Sequence, residues 1–355
     1  MAIVTILSLY LVAWPVPFDP AAWTPPTPPA REGVYAPNSR LAPVERLIEG
    51  MGIGPEDVAF DAQGRVYSGY VDGRIVRCNP DGTDVSIIAN TGGRPLGMDF
   101  DAAGNLIVAD AVRGLLSIAP NATVAVLSVE ADGIPFKFAD DVKVAKSGLI
   151  YFSDASDKFG KDAYLEDLME HRGNGRLLVY DPKDRMTTCL TRDLHFANGV
   201  ALDPDETFVL VNETGKYRIL RHWLTGDKKG TTEVFLDNLP GIPDNLSCNG
   251  RDRFWVALFS PRSTSLDGLL PKPFLRKLVY RLPNFLRPAP AHHGMVLGVS
   301  FDGHVLELLE DSAETSFAPI TSVEERDGMV YLGSLHANAI GRLALSQPAG
   351  GFEIK

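Results

Sequence analysis

Six tight-turn motifs recur along the chain, each is followed by a short strand of β-branched and aromatic residues, and few stretches favour helix. These observations predict an all-β fold, a six-bladed β-propeller with four-stranded blades and two insertions. In most copies an Asp or Asn bonds the backbone ahead of it and a Gly takes the positive-φ position, so the turn joins two antiparallel strands. The turns lie at residues 61–64, 101–104, 146–148, 203–206, 249–252 and 326–328.

The spacing of these turns gives a base period of roughly 40 to 50 residues, which is the length of one four-stranded blade. Two intervals are longer. The first contains an insertion at 157–175 with the helical-looking KDAYLEDLMEHR, and the second contains an insertion at 260–291. Two β-sandwiches would have to explain a period that crosses their boundary, so we expect one propeller over residues 40–355.

Composition excludes several classes of protein. The chain has 355 residues, of which 45% are hydrophobic and 22% charged, as in globular proteins rather than disordered or polytopic membrane chains. Its 34 Lys and Arg against 45 Asp and Glu give a net charge of −11, which argues against nucleic-acid binding and suits cations. Cys78, Cys189 and Cys248 stand far apart, so neither a zinc site nor a disulfide scaffold is expected, although one bridge with an odd thiol stays open.

The amino-terminal segment, residues 1–39, differs from the rest. Residues 2–14 form an unbroken apolar run, shorter than the about 20 residues that span a bilayer, and a Pro-rich tract follows at 15–29. This composition predicts an anchor or a strap ahead of a domain that begins near residue 40; the alternative is a strand or helix packed on that domain.

The second insertion mixes basic and apolar side chains over residues 269–287. Such a stretch suits contact with an anionic membrane surface or a lid over the channel, and equally a helix packed on the propeller. Together with residues 2–14 it predicts membrane association or export, while a cytoplasmic location stays open.

Polar residues stand at the head of the first strand in four of the predicted blades, and the second blade has PLGMDF there instead, without a charged residue at its tip. A propeller directs these positions toward one axis, where their oxygens would surround a hard cation such as Ca²⁺; Zn²⁺ would favour His or Cys. The alternative is that each residue only caps its own turn. The candidates are Glu56, Asp57, Asp140, Asp141, Asn198, Asp244 and Asn245.

The ordered motifs GPEDVAF, ADDV, FSDAS, GRLLVYDP, FANGVALDPD and IPDNLS resemble the strictosidine synthase-like branch of the calcium-dependent propellers. This branch includes adipocyte plasma membrane-associated protein and is related to paraoxonases and to the gluconolactonase (senescence marker protein) family. The resemblance covers nearly the whole chain from about residue 40. It implies that a catalytic Ca²⁺ is ringed by Glu56, Asp140, Asn198, Asp244 and Asn245.

For the second, buried structural ion that paraoxonases hold, the resemblance implies Asp57, Asp141 and the backbone of Met98 as candidates. The sequence departs from its relatives at Asp140, where many of them carry Asn. Three carboxylates around one ion should tighten cation binding and leave one of them able to act as a base.

The implied reaction is hydrolysis of a small hydrophobic lactone or aryl ester, with the metal polarising the carbonyl and a carboxylate or His activating water. Glu56, Asp140 and Asp244 are the candidate bases. His195, close to Asn198 in sequence, is either a proton relay or an ordinary packed histidine. The alternative is a non-catalytic propeller that binds a ligand or partner around a structural Ca²⁺.

Condensation of an amine with an aldehyde, the reaction of strictosidine synthases, is a third and weaker hypothesis. It uses a glutamate just ahead of the last blade's turn, where this chain has Thr321, with Glu324 and Glu325 slightly further on. No G-x-S-x-G elbow and no phosphate-binding G-x-x-x-x-G-K-[ST] loop occurs in the sequence, so serine-hydrolase and nucleotide-binding functions have no support.

Overall fold

The computed structural model describes residues 9–345, which form the predicted six-bladed β-propeller of four-stranded antiparallel sheets. Consecutive strands pair within each blade. Blade 1 contains β2 (Ala59–Phe60), β3 (Val66–Gly69), β4 (Arg74–Cys78) and β5 (Ser86–Asn90); blade 2 contains β6 (Pro95–Phe100), β7 (Leu106–Asp110), β8 (Gly114–Ile118) and β9 (Val124–Ser128); a two-stranded hairpin, β10 (Glu130–Ala131) and β11 (Ile134–Pro135), follows.

The remaining blades repeat this order around the ring. Blade 3 contains β12 (Ala139–Val144), β13 (Ile150–Asp154), β14 (Gly175–Asp181) and β15 (Met186–Leu194); blade 4 contains β16 (Ala197–Leu202), β17 (Phe208–Glu213), β18 (Arg218–Trp223) and β19 (Thr232–Leu236); blade 5 contains β20 (Gly241–Cys248), β21 (Arg253–Pro261), β22 (Gly294–Ser300) and β23 (Val305–Asp311).

The sixth blade closes the ring with strands from both ends of the chain. It contains β24 (Ser322–Arg326), β25 (Met329–Gly333) and β26 (Ile340–Ala344), and its outer strand is the early β1 (Glu45–Leu47). Leu47 pairs antiparallel with Ile340. The first and last blades are therefore linked by a backbone ladder as well as by side-chain packing.

The six predicted turns all join the innermost strand of a blade to its second strand. Gly64 and Gly104 have φ of +79° and +80°, and Glu206 takes the same left-handed conformation at +54° in the fourth copy. The Asp61 carboxylate accepts hydrogen bonds from the backbone N–H groups of Gln63 and Arg65. The local chemistry of Asp-x-x-Gly thus shapes the turns of blades 1 and 2, and related sequences form the turn at the same place in the other blades.

Apolar side chains pack between neighbouring blades in six clusters, one for each blade interface. A seventh cluster differs because it draws on blades 2, 3 and 4 at one end of the channel. Its buried members are Leu96, Ala111, Phe138, Ala155 and Phe196, with Leu168 and Leu335 packed against them.

The two insertions emerge beside β13 and β21. The first contains a 3₁₀ turn (Lys161–Ala163) and α1 (Tyr164–Glu170); the second contains α2 (Thr264–Asp267), α3 (Pro273–Tyr280) and a 3₁₀ turn (Asn284–Leu286). Among residues 9–345, no helix is both long enough and apolar enough to cross a membrane. The three cysteines are free.

Residues 9–13 are helical, and the chain then runs across both insertions in an extended form, with one 3₁₀ turn at Gly33–Tyr35. The backbone N–H of Ala21 donates to Glu170 O, and that of Trp23 donates to Leu270 O. We call residues 14–38 the strap. Residues 2–8 of the predicted apolar run lie outside the described residues.

Candidate metal centre at the heads of the inner strands

In blades 2 to 5, a pair of residues at the head of the innermost strand departs from the regular ladder, whereas in blade 1 the equivalent residues, Glu56 and Asp57, precede β2. The strand register shifts between Ala139 and Val142 in blade 3, and at equivalent places in blades 2, 4 and 5. A bulge of this kind re-aims side chains, so two consecutive residues can face the channel. The first position is Glu56, Leu96, Asp140, Asn198, Asp244 and Thr321 in blade order, and the second is Asp57, Gly97, Asp141, Gly199, Asn245 and Ser322.

Two of the second positions must be glycine because neighbouring blades approach closely. A Cβ at Gly97 would lie 2.5 Å from Cα of Asp141, and one at Gly199 would lie 2.6 Å from Cα of Asn245. These glycines therefore make room for a polar residue of the next blade.

Glu56, Asp140, Asn198, Asp244 and Asn245, which we call the upper ring, come together although up to 189 positions separate them. Asn245 Nδ2 donates to Glu56 Oε1 at 2.7 Å. The Asn198 side chain lies close enough to Asp244 to lower the pKa of that carboxyl. All five residues are buried, with between 2% and 7% of their surface exposed.

Three oxygens of the upper ring have no hydrogen-bond partner among the described residues: Glu56 Oε2, Asn198 Oδ1 and Asn245 Oδ1. An unpartnered buried polar atom costs about 1–3 kcal/mol, so three in one ring call for an explanation. Carboxylate and carboxamide oxygens are the ligands that Ca²⁺ uses in proteins. The donor set of the upper ring therefore fits a hard divalent cation.

The electrostatics of the upper ring point the same way. Burial, followed by Asp244, Asp57 and Asp140, raises the pKa of Glu56 well above its usual range. Burial and then Asp244 raise that of Asp140. Burial raises the pKa of Asp244 to about 7, against an opposing hydrogen bond from Asn198. Crowded, buried carboxylates of this kind are stabilised in their charged form by a cation.

Within residues 9–345, no three His, Cys, Asp or Glu side chains by themselves form a group that could hold a metal ion. A cation at the upper ring would consequently depend on the amide oxygens of Asn198 and Asn245 as well as on the carboxylates. This requirement distinguishes the site from zinc centres built on His and Cys.

Asp57 and Asp141 lie one residue further along their strands and have a different environment. Asp57 Oδ2 accepts a hydrogen bond from the backbone N–H of Met98 at 2.9 Å. The Met98 backbone is therefore a hydrogen-bond donor to this carboxylate. Asp141 accepts the N–H of Val142 at Oδ1 and that of Val200 at Oδ2, at 2.7 and 2.6 Å. Each carboxylate thus ties its blade to the next one around the ring.

His195 lies outside the upper ring. Its backbone N–H donates to Glu213, and its Nδ1 lies 3.1 Å from Nδ1 of His171, whose ring stacks on Trp23 of the strap. Burial lowers the pKa of His195 to about 3 and that of His171 to about 4. A histidine held neutral so far below neutral pH accepts a proton poorly.

Sequence reasoning missed Arg94 at this site and considered Thr321 only as the residue in place of the synthase glutamate. Arg94, 5% exposed, donates through Nη1 to Gly54 O at 2.9 Å and interacts electrostatically with Glu56 and Asp140. Arg94 lies two residues before Leu96, at the one strand head whose first position is apolar. Its place beside that strand head is the sequence feature that could have identified it. Thr321 occupies the first position of blade 6, where its hydroxyl donates to Glu56 O at 2.7 Å; blade 6 offers no carboxylate there.

Fold and site together define a six-bladed propeller whose channel carries an oxygen-rich polar ring at one end. The family model for strictosidine synthase matches residues 140–227, and that for the strictosidine synthase-like N-terminal region matches residues 33–78. Strictosidine synthase-like 4 of Arabidopsis thaliana is 36% identical over 344 residues, which cover 92% of this chain and 90% of that protein. The chain belongs to the strictosidine synthase-like family.

Animal relatives and solved structures extend the comparison. Adipocyte plasma membrane-associated protein of Bos taurus is 35% identical, with 94% of this chain and 86% of that protein covered. A gluconolactonase from Xanthomonas campestris superposes with a TM-score of 0.62 at 17% identity, covering 93% of this chain and 99% of that one. Regucalcin, a calcium-binding protein from Agrobacterium tumefaciens, gives 0.56 at 14% identity, over 85% and 91%. These two likenesses establish the fold.

Proposed function

We propose that the protein is a calcium-dependent hydrolase of lactones or aryl esters, with Ca²⁺ held by the upper ring. The observation that carries the proposal is the set of three buried, unpartnered oxygens in that ring, Glu56 Oε2, Asn198 Oδ1 and Asn245 Oδ1. The fold shared with a gluconolactonase and with regucalcin supports the choice of reaction and of metal.

The residues of the ring would divide the work. Bound Ca²⁺ would supply Lewis acidity toward the substrate carbonyl. Asn198 and Asn245 contribute neutral oxygens, while Glu56 is fixed by its hydrogen bond with Asn245. We assign proton transfer from water to Asp140 or Asp244, and we favour either of them over His195, which hydrogen-bonds His171 instead.

The apolar cluster at the same end of the channel suits a hydrophobic substrate. Phe138 and Phe196 make an edge-to-face contact at 5.5 Å, and Leu96 packs with them. Leu96 is the first-position residue of blade 2, and Phe138 and Phe196 lie two residues before Asp140 and Asn198. A small ester or lactone that reaches the ring would contact these side chains and exclude water from the reacting carbonyl.

Hydrolysis of phenyl acetate and of a panel of lactones, measured with and without chelator, tests the proposal. We expect hydrolysis that a chelator removes and Ca²⁺ restores. Asp244→Asn should lower the rate by roughly 10²-fold or more, while Asp227→Asn, in an exposed loop, should leave it unchanged. Hydrolysis that survives complete removal of Ca²⁺ would contradict the metal's role.

A non-catalytic propeller with a structural Ca²⁺ is the second candidate, and burial of the ring favours it. The ring residues are almost completely buried, and the apolar cluster lies at the same end of the channel. Bound Ca²⁺ without turnover of any tested ester or lactone would support this candidate. Condensation of tryptamine with an aldehyde is the control reaction for the synthase hypothesis, and with Thr321 in place of an acid we expect none.

We propose further that the protein is membrane-associated or exported, and that one face of it contacts a phospholipid surface. Arg281 donates to Trp14 O and Leu11 O, which brings residues 9–14 beside the second insertion. Exposed apolar side chains crowd this face, among them Trp14 (61%), Phe274 (55%) and Phe285 (84%). Lys272 is exposed beside them, and the plasma-membrane association named for the animal relatives supports the same choice.

Flotation of the full-length protein with vesicles of phosphatidylcholine and phosphatidylserine tests this contact. The wild-type protein should float with the vesicles, and the double variant Phe274→Ser/Phe285→Ser should bind several-fold less. Leu306→Ser removes an exposed apolar side chain from the outer strand of blade 5 and should bind like wild type. Equal binding of all three proteins would contradict the assignment of this face.

A further inference from the structure

An ion pair crosses the channel below the upper ring. Lys143 Nζ lies 2.8 Å from Glu324 Oε1, and each side chain is only 17% exposed. Lys143 is on the innermost strand of blade 3 and Glu324 is on that of blade 6. Because blades 3 and 6 lie opposite each other in a ring of six, this contact spans the channel axis.

The lysine lies among the carboxylates that follow the upper ring. Lys143 is two positions after Asp141 on β12, so both side chains lie on the same side of the strand. Although burial lowers it, the carboxylates of Glu324, Asp99, Asp141 and Asp57 hold the pKa of Lys143 well above its usual range. Burial raises the pKa of Asp57 and Asp141, and in both cases Lys143 is the largest effect opposing the rise.

Asp57 and Asp141 lack the feature that marks the upper ring. Three of their four carboxylate oxygens accept backbone N–H groups, Asp57 Oδ2 from Met98 and the two Asp141 oxygens from Val142 and Val200. None of the four is among the buried atoms without a hydrogen-bond partner. Their donor set therefore fits a second ion poorly, and the compensating positive charge is already present in the chain.

The difference between the upper ring and the Asp57–Asp141 pair does not arise because a cation is unable to reach that pair. The channel opens below the ion pair into a cavity of about 360 Å³, whose lining includes Asp99, Lys143, Glu206 and Glu324. A hydrated cation could approach Asp57 and Asp141 from that side, and it would meet the Lys143 ammonium first.

We propose that Lys143 takes the place of a second metal ion: the ammonium on the channel axis neutralises Asp57 and Asp141, and the protein binds one divalent ion instead of two. Replacing Lys143 by an uncharged side chain creates a second, lower Ca²⁺ site. The predicted count of one bound Ca²⁺ in the wild-type protein rests on the upper-ring site proposed above. The predicted gain of a second Ca²⁺ site on replacing Lys143 does not.

The test counts bound Ca²⁺ per full-length chain, by elemental analysis after saturation and desalting and by titration calorimetry. Wild type should hold one ion and Lys143→Met two. Lys143→Arg keeps the charge and should hold one. Lys146→Met removes an exposed lysine of the same blade and should also hold one. Thermal unfolding should show a larger Ca²⁺-induced rise in Tm for Lys143→Met than for Lys143→Arg.

The outcomes separate this inference from the proposed function. Two ions in wild type, or no gain of an ion in Lys143→Met, overturns the inference whether or not the protein is a hydrolase. No ion in wild type with one gained in Lys143→Met supports the inference and overturns the upper site. Should Lys143→Met fail to fold, the wild-type count decides: one ion supports the inference and two overturn it.

Discussion

At the scale of single residues, charge balance explains why the upper ring can hold three carboxylates. Glu56, Asp140 and Asp244 carry three negative charges when ionised, while Arg94 beside them carries one positive charge. A divalent cation would make the ring and Arg94 together electrically neutral. Arg94 thus offsets one of the three carboxylate charges, and a single divalent ion would complete the balance.

The pH dependence of the ion-free protein follows from Asp244. Its pKa is raised to about 7 in the folded protein, against about 3.9 in an unfolded chain. A raised folded-state pKa stabilises the fold below the unfolded value, and this contribution is lost as pH rises through the folded value. We therefore expect the chelated protein to lose stability between about pH 4 and pH 7, by at most about 1.4 kcal/mol per pH unit.

Calcium should reverse this trend. Since the ion binds the ionised ring, added Ca²⁺ should raise the Tm more at pH 8 than at pH 5, and its affinity should fall as pH drops below about 7. Thermal unfolding at several pH values, with chelator or with Ca²⁺, measures both effects. Asp244→Asn should flatten the chelated profile. A chelated protein whose Tm rises steadily from pH 5 to pH 8 would count against the assignment.

At the scale of elements, buried arginines fix the strap to the insertions. Arg276 of α3 is 1% exposed and donates to Met169 O at 2.8 Å and to Ala21 O, and it thereby joins both insertions to the strap. Trp23 of the strap stacks on His171 at 4.8 Å. Two basic residues of the second insertion, Arg276 and Arg281, thus donate to backbone carbonyl groups instead of facing solvent or a membrane surface.

Arg276→Met should loosen the strap. It leaves two carbonyl oxygens without their charged donor, so we expect a loss of roughly 1–3 kcal/mol and faster proteolytic cleavage within residues 14–38. Lys272→Met, at an exposed position just before α3, is the matched control and should change neither quantity. Limited proteolysis with mass spectrometry of the fragments measures the cleavage; equal rates in the two variants would show that Arg276 does not anchor the strap.

The elements also show what the sequence could predict. Blades, turns and insertions follow from local chemistry, because Asp61 and Gly64 shape their own turn whatever surrounds them. The upper ring could be predicted because its members stand at matching places in successive repeats. The Lys143–Glu324 pair could not, since nothing local links residues 181 positions apart, and Arg94 stands in the one blade whose strand head lacks a polar residue.

At the scale of the whole molecule, the upper ring depends on closure of the propeller. Glu56 lies in blade 1, and its carbonyl accepts the Thr321 hydroxyl of blade 6, while Ser334 N–H of blade 6 donates to Pro55 O. These contacts join the two blades that β1 also links through its ladder with β26. The geometry of the upper ring and the joining of the chain ends therefore involve the same two blades.

Leu47→Ala tests this coupling. Leu47 is 6% exposed and packs between blades 6 and 1 against Val58 and Ile340, so its truncation should cost roughly 2–5 kcal/mol of unfolding free energy. We also expect weaker Ca²⁺ binding, although Leu47 lies on the outer strand of blade 6, because a loosened closure misplaces Glu56. Leu306→Ala, on the outer strand of blade 5, should change neither quantity. Denaturant unfolding and calcium titration measure the two effects; lost stability with unchanged calcium affinity would show that the ring is set within blades and not by closure.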